Sequence, residues 1–181
     1  MRGLATENHV DFSQGELSRT GRALDLALDG EGFFAIDTPD GEVYTREGSF
    51  RLTPDGTLVS EEGLPVAWDS LSGSIDPTGF PVEVDGEGTV RQGVDEIGRL
   101  RIANFADSSR LSLNADGYWQ APPRLAEAAH SATVHQGALE DSNASGVEEL
   151  VAMISVQRSF ESVARVMSKI EDSYSRLTRP F

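Results

Sequence analysis

From about Ala23 to about Gln136 the apolar residues come in short runs, "LDLAL", "GFFAI", "TLV", "PVEV" and "LRIANF", separated by residues that favour turns. Runs of this length and content read as short strands. Asp-Gly occurs five times in this stretch, at Asp29-Gly30, Asp40-Gly41, Asp55-Gly56, Asp85-Gly86 and Asp116-Gly117. A tight hairpin needs positive φ at its central residues, which Gly takes freely and Asp tolerates better than most. The front is therefore expected to be a hairpin-rich, all-β domain, a small barrel or a sandwich.

From Ser145 onward the period changes. Met153, Phe160, Met167 and Tyr174 fall every seventh residue, and Val156, Val163, Ile170 and Leu177 repeat the spacing three places later. These are the a and d positions of four heptads, so the fold class is mainly β with α, ending in a long heptad helix. Before Met153 the register shifts to Val147, Leu150, Val151 and Ile154, as a stutter would produce. Ser145-Gly146-Val147-Glu148 fits a capping box, and Arg179-Pro180 ends the run. Such a helix is roughly 50 Å long at 1.5 Å per residue. Its eight seam side chains represent on the order of 12 to 24 kcal/mol if buried. The seam can lie on the chain's own β domain or pack on other helices; four clean heptads favour the second, and the rest of the chain offers no second helix. The expected parts are an incoming segment (1–22), a β domain (23–137), and a link with the helix (138–181).

Charge narrows the partners. The 181-residue chain carries 30 acidic and 15 basic side chains, a formal net charge of -15. The acidity belongs to the front, since residues 141–181 hold six acids and five bases. Such a surface repels a phosphate backbone and anionic lipid, so neither nucleic acid nor direct membrane insertion is expected. No cysteine is present, which removes disulfides, thiolate metal sites and cysteine nucleophiles. The opening residues "MRGLATENHVDFSQ" hold no apolar segment of a secretory signal, and no run of 18 apolar residues follows.

Candidate chemistry is sparse. Asp29-Gly30-Glu31-Gly32 recurs as Asp85-Gly86-Glu87-Gly88, but the calcium-loop spacing of alternating acids with a distal Glu is missing, so a structural turn is expected. No phosphate loop follows these glycines, and no nucleophile elbow occurs. His9, His130 and His135 have no metal-site spacing. Phe33, Phe34, Tyr44, Phe50 and Trp68 could form a carbohydrate-binding strip, though core packing explains them better. No catalytic residue and no cofactor is expected. A calcium-binding or adhesive β module oligomerised by its helix is the rival reading, and an acidic hydrolase lacks its constellation.

Two stretches resemble a known family. Residues 11–66, "DFSQGELSRTGRALDLALDGEGFFAIDTPDGEVYTREGSFRLTPDGTLVSEEGLPV", show Gln-Gly-x-Leu, Thr-Gly-x-x-Leu-Asp, Gly-x-Gly-Phe-Phe, Tyr-Thr-Arg-x-Gly-x-Phe and Gly-x-Leu-Val in order. Residues 135–177, "HQGALEDSNASGVEELVAMISVQRSFESVARVMSKIEDSYSRL", add Gln-Gly-x-Leu-Glu-x-Ser-Asn and Met-Ile-x-x-Gln-Arg-x-Phe-Glu. In these blocks the chain resembles the basal-body rod subunits of the bacterial flagellum, and it looks closer to the proximal than to the distal rod subunit. The middle, roughly residues 67–134, matches only loosely.

The resemblance implies a structural subunit, exported by the flagellar type III apparatus without a cleaved signal and polymerised helically into the periplasmic rod. Its partners would be other rod and hook axial proteins, copies of itself and neighbouring helices. The seam from Met153 to Leu177 would pack between subunits. Gly21, Leu24, Asp25, Gly30, Gly32, Phe33 and Phe34 would shape the start of the β domain, and Ser142 with Asn143 the link to the helix. Family members begin with a helix and an Asn-rich segment, neither of which appears ahead of residue 11. A front segment that partners the heptads is therefore expected to be missing.

Overall fold

The computed structural model describes residues 12–125, 127–143 and 146–177, with helix side chains described over 153–170. The chain divides into two compact units, Met1–Asn143 and Ala144–Phe181. The first is mainly β. Its strands are β1 (Leu17–Arg19), β2 (Leu26–Asp29), β3 (Phe33–Thr38), β4 (Gly41–Thr45), β5 (Arg51–Leu52), β6 (Leu58–Val59), β7 (Trp68–Leu71) and β8 (Val82–Val84). They continue as β9 (Thr89–Gln92), β10 (Asp95–Leu100), β11 (Ile102–Phe105), β12 (Ser112–Leu113), β13 (Trp119–Gln120), β14 (Glu127–Ala128), β15 (Thr133–Gln136) and β16 (Ala138–Glu140).

The central sheet runs β12-β13-β4-β3-β11-β14 and curls into a half-barrel; a second sheet runs β7-β10-β9-β8, and β1-β16, β2-β15 and β5-β6 pair separately. Strand β3 explains why "FFAI" is a continuous apolar run. Phe34 and Ile36 point into one core with Leu26, Leu28, Val66, Val90 and Leu100, while Phe33 and Ala35 point into another with Tyr44, Ala103, Phe105 and Leu111. A strand buried on both faces cannot alternate apolar with polar. Phe33, Phe34, Tyr44 and Phe50 are thus core residues and Trp68 packs against the core, so the aromatic strip faces inward.

Four hairpin loops share one five-residue design: Thr53–Thr57, Ser60–Leu64, Asp85–Thr89 and Asn114–Tyr118. In each, the first and fifth residues pair by a backbone N–H to carbonyl bond of 2.8–3.0 Å. The fourth is a glycine at φ +82 to +86 whose N–H donates to the first carbonyl. The first side chain accepts from the fifth N–H, as Asp85 Oδ1 does from Thr89 at 3.0 Å. This is the three-residue loop that ends in a left-handed glycine. Gly88, not Gly86, fills the strained position in its copy.

The same four letters build something else at Asp29-Gly30-Glu31-Gly32. Strand β2 pairs with β15 while β3 pairs with β4 and β11, so this stretch is a corner between sheets and not a hairpin. Gly30 takes φ +107 there, and a Cβ on Gly32 would lie 3.0 Å from Ile102 Cγ2.

The second unit is one helix, α1 (Gly146–Leu177), of 32 residues. The expected capping residue Ser145 and the stop at Arg179-Pro180 lie outside the described residues.

Candidate functional site

Two features stand out: a polar clasp where the chain enters and leaves the β unit, and the apolar face of α1. The clasp begins with β1 and β16, antiparallel with Leu17 opposite Glu140 and Arg19 opposite Ala138. Beyond that pair the Asp141 N–H donates to Glu16 O at 2.8 Å. Asn143 Nδ2 donates to Ser13 O at 2.9 Å. Gly15 is required because a Cβ there would fall 1.8 Å from Asp141 O. Its N–H donates instead to Glu140 Oε1 at 2.9 Å.

Arg46 lies just after β4 and reaches this corner. Its Nε meets Glu140 Oε2 at 2.8 Å, with side chains only 23% and 10% exposed. Nη1 donates to Gly30 O at 2.8 Å and to Gly32 O at 2.7 Å, and Nη2 to Leu28 O at 3.3 Å. Gln14 completes the corner, accepting from the Gly30 N–H at 3.0 Å and donating to Leu28 O at 3.3 Å. The planar guanidinium suits this task, since its donors fan out in fixed directions that a lysine cannot match. An open cleft of about 610 Å³ lies alongside, bordered by Phe12, Arg46, Trp119 and Asn143. Phe12 anchors the incoming chain, its ring 4.9 Å from Trp119 and 6.0 Å from Phe33.

Of the residues expected to shape the β domain, Gly30, Gly32 and Phe33 border this cleft, while Gly21 and Asp25 sit by Gly137 at the far end of β1 and β16. Gly21 turns at φ +75 and donates to Gly137 O at 3.1 Å. Asp25 is 1% exposed, accepting from Thr20 Oγ1 at 2.5 Å and Arg22 Nε at 2.7 Å. Leu24 and Phe34 pack in the first core, Phe33 in the second. Ser142 and Asn143 border the cleft. The sequence reading missed Arg46, Glu140 and Gln14. Each lies inside a quoted motif block, but nothing local announces a pair 94 positions apart.

Elsewhere, Arg101 holds three carboxylates: Glu42 at 3.0 Å, Asp69 at 3.3 Å and Glu127 at 2.8 Å. Burial pulls its pKa down, but the bond and charge of Glu42, then Glu127 and Asp69, outweigh this and raise it. Tyr44 is pushed up to about 12 by burial and by Glu42. Tyr118 is also pushed up to about 12, by burial and by its hydrogen bond to Glu62. His135 faces Asp29 at 3.6 Å across β2 and β15. No three acidic or histidine side chains converge as metal ligands among the described residues. Asp85, a candidate calcium ligand by sequence, instead accepts from the Glu87 and Thr89 N–H groups of its own loop.

On α1, Met153, Val156, Phe160, Val163, Met167 and Ile170 are 50–73% exposed. At 100° per residue these six fall within roughly 100° of arc, one stripe along the helix. Val166 is exposed beside it, and Ile154 is exposed on the nearly opposite side of the helix. Tyr174 and Leu177 continue the helix, with side chains outside the described residues. No described helix is long and apolar enough to cross a membrane.

Comparison with known proteins fits this division. The family model described as flagellar hook protein FlgE/F/G D1 domain matches residues 27–118. The one described as flagellar basal body rod FlgEFG protein C-terminal matches residues 135–179. The flagellar basal-body rod protein FlgF of Caulobacter vibrioides is 37% identical over 171 residues, spanning 93% of this chain and 68% of the relative. FlgF of Mesorhizobium japonicum is 34% identical over 172 residues, spanning 92% and 70%. FlgG of Buchnera aphidicola subsp. Baizongia pistaciae is 32% identical over 192 residues, spanning 98% and 72%. With a β unit and a C-terminal helix each matched in order, the chain belongs to the flagellar basal-body rod proteins of the FlgF/FlgG type.

Proposed function

We propose that the chain is a structural subunit of the flagellar basal-body rod, and that it works by packing and not by chemistry. The observation that carries this is the exposed apolar stripe of α1 on a chain whose relatives are named rod proteins. Six large apolar side chains on one face of a helix in water represent, at roughly 1.5 kcal/mol or more each, a standing drive to associate. The heptad spacing gives the occupant its form: helices of other axial subunits, or of further copies, seated knobs-into-holes along Met153, Val156, Phe160, Val163, Met167, Ile170, Tyr174 and Leu177. Residues 1–22 act as the incoming segment, 23–137 as the barrel-like β domain and 138–181 as link and helix. The position is the proximal part of the rod in the periplasm, reached through the flagellar export route. The ending "QRSFE" and "ARVMSKIEDSYSRL" supports the proximal place.

The test is incorporation. Basal bodies extracted with detergent from the source cell should contain peptides of this protein, and Phe160→Asp with Met167→Asp should remove them. The same substitutions should leave the melting of the β unit unchanged. Basal bodies rich in other rod proteins but lacking this one would sink the reading.

A further inference from the structure

The clasp lies outside both cores. In β1, Ser18 and Arg19 are exposed and Leu17 is half-buried; in β16 only Ala138 is buried. Little apolar area therefore holds this pair, and segments of that kind open at lower cost than the core around them. The direction of opening is set by the register. Leu17 and Glu140 stand at the end nearest the two outgoing chains, so drawing residues 12 and 143 apart strains the pair from that end, one bond at a time. The polar bonds concentrate there: Gly15 to Glu140, Asp141 to Glu16 and Asn143 to Ser13. Each of them joins one outgoing chain to the other. Arg46 and Gln14 tie this end to the body of the domain by hydrogen bonds, with Phe12 packed on the second core beside them; Arg46 joins Glu140 on one side to the carbonyls of Leu28, Gly30 and Gly32 on the other.

We infer that Arg46 is the positioning residue that latches the two outgoing chains to the sheet corner, and that the clasp opens as a unit of its own when this latch is removed. For a rod subunit, a role that rests on the function proposed above, the latch is where force on the outgoing chains enters the β domain. Charge-assisted bonds of this kind, partly buried, exceed ordinary backbone bonds in strength, so the latch governs the opening equilibrium more than the ladder of β1 and β16 does.

Hydrogen exchange on the full chain tests this directly. Arg46→Gln should speed exchange of the Gly15, Gly30 and Asp141 amides by about tenfold or more, leaving the Ala35 and Val66 amides of the core within about twofold. Glu140→Gln should reproduce the pattern at Gly15 and Asp141. Arg46→Lys, which keeps the charge but loses the fan of donors, should fall between wild type and Arg46→Gln. Acceleration under about threefold at Gly15 and Asp141 would show that the clasp closes without Arg46 and overturn the inference. Equal acceleration of clasp and core amides would overturn it too, since Arg46 would then be supporting the whole domain. Exchange is read without assembly, so failure of the rod reading would leave this result standing.

Discussion

Replacing Gly48 with alanine probes how tightly the β2 strand is seated. Gly48 O accepts the Leu26 N–H at 3.0 Å, and next to it the Phe50 N–H donates to Leu24 O at 3.2 Å. A Cβ on Gly48 would lie 1.6 Å from Leu26 O, 2.8 Å from Leu26 C and 3.2 Å from Phe34 Cε2. Relief requires the two strands to part by about 1.5–2 Å, yet Leu26 is 1% exposed and Phe34 fully buried, so neither has room to retreat. Parting loses two backbone hydrogen bonds at about 1 kcal/mol each, and crowding adds about 1–3 kcal/mol. The sum is a loss of about 3–5 kcal/mol, which lowers the melting temperature by on the order of 10 °C in a domain of this size. Urea denaturation followed by tryptophan fluorescence reads it well, because both tryptophans, Trp68 and Trp119, belong to the β unit. Gly63→Ala is the reference. Gly63 has φ +86 with nothing within 4 Å of its missing Cβ, so alanine there costs only the left-handed conformation, about 1–2 kcal/mol. If Gly48→Ala proves no more harmful than Gly63→Ala, the contact at Leu26 yields freely and the reasoning from close approach is refuted.

Gly30→Val should destabilise the β unit by about 1–3 kcal/mol, because it forces a β-branched residue into φ +107 against Ala132 and Ser131. Melting with and without about 1 mM calcium should agree within about 1 °C in both proteins; a calcium-dependent shift lost with the substitution would mean the corner holds metal. Arg101→Met should leave Glu42, Asp69 and Glu127 facing one another, costing about 1 kcal/mol in dilute buffer and less as salt rises, because these groups are partly exposed. A loss independent of salt would point to packing of the arginine stem instead. Tyr44 and Tyr118, both pushed up to about 12, keep their protons in the folded chain above the ordinary tyrosine value near 10. The unfolded chain then binds fewer protons than the folded one, so stability is intact below about pH 10 and falls as pH rises toward 12. Tyr118→Phe should make that fall shallower in a denaturation series across the range, and an unchanged slope would count against the assignment.

The change from strand to helix was legible, because period carries it: short runs before residue 137, sevenfold spacing after residue 153. The turns were legible only in part. Counting Asp-Gly pairs found three of the four matching loops but missed Ser60–Leu64, whose Gly63 follows Glu62. The physical signal was a hydrogen-bonding residue three places before a glycine, not the residue beside it. Asp29-Gly30-Glu31-Gly32 and Asp85-Gly86-Glu87-Gly88 show the limit most clearly. Identical tetrapeptides become a sheet corner and a hairpin loop because Gly30 O and Gly32 O meet Arg46, whereas Asp85 closes on Thr89. The clasp itself was illegible for the same reason, since Arg46 and Glu140 are joined by folding and not by spacing.

Ser13 and Asn143 touch across the clasp, so the β unit begins and finishes at one place. In evolutionary terms the stretch between them behaves as a module closed at its own two ends. Strands and loops far from that junction can be lengthened, shortened or resurfaced without altering the spacing of the two chains that carry it. One β unit can thereby carry differently shaped loops, provided the Gln14, Gly15, Arg46 and Glu140 junction is kept.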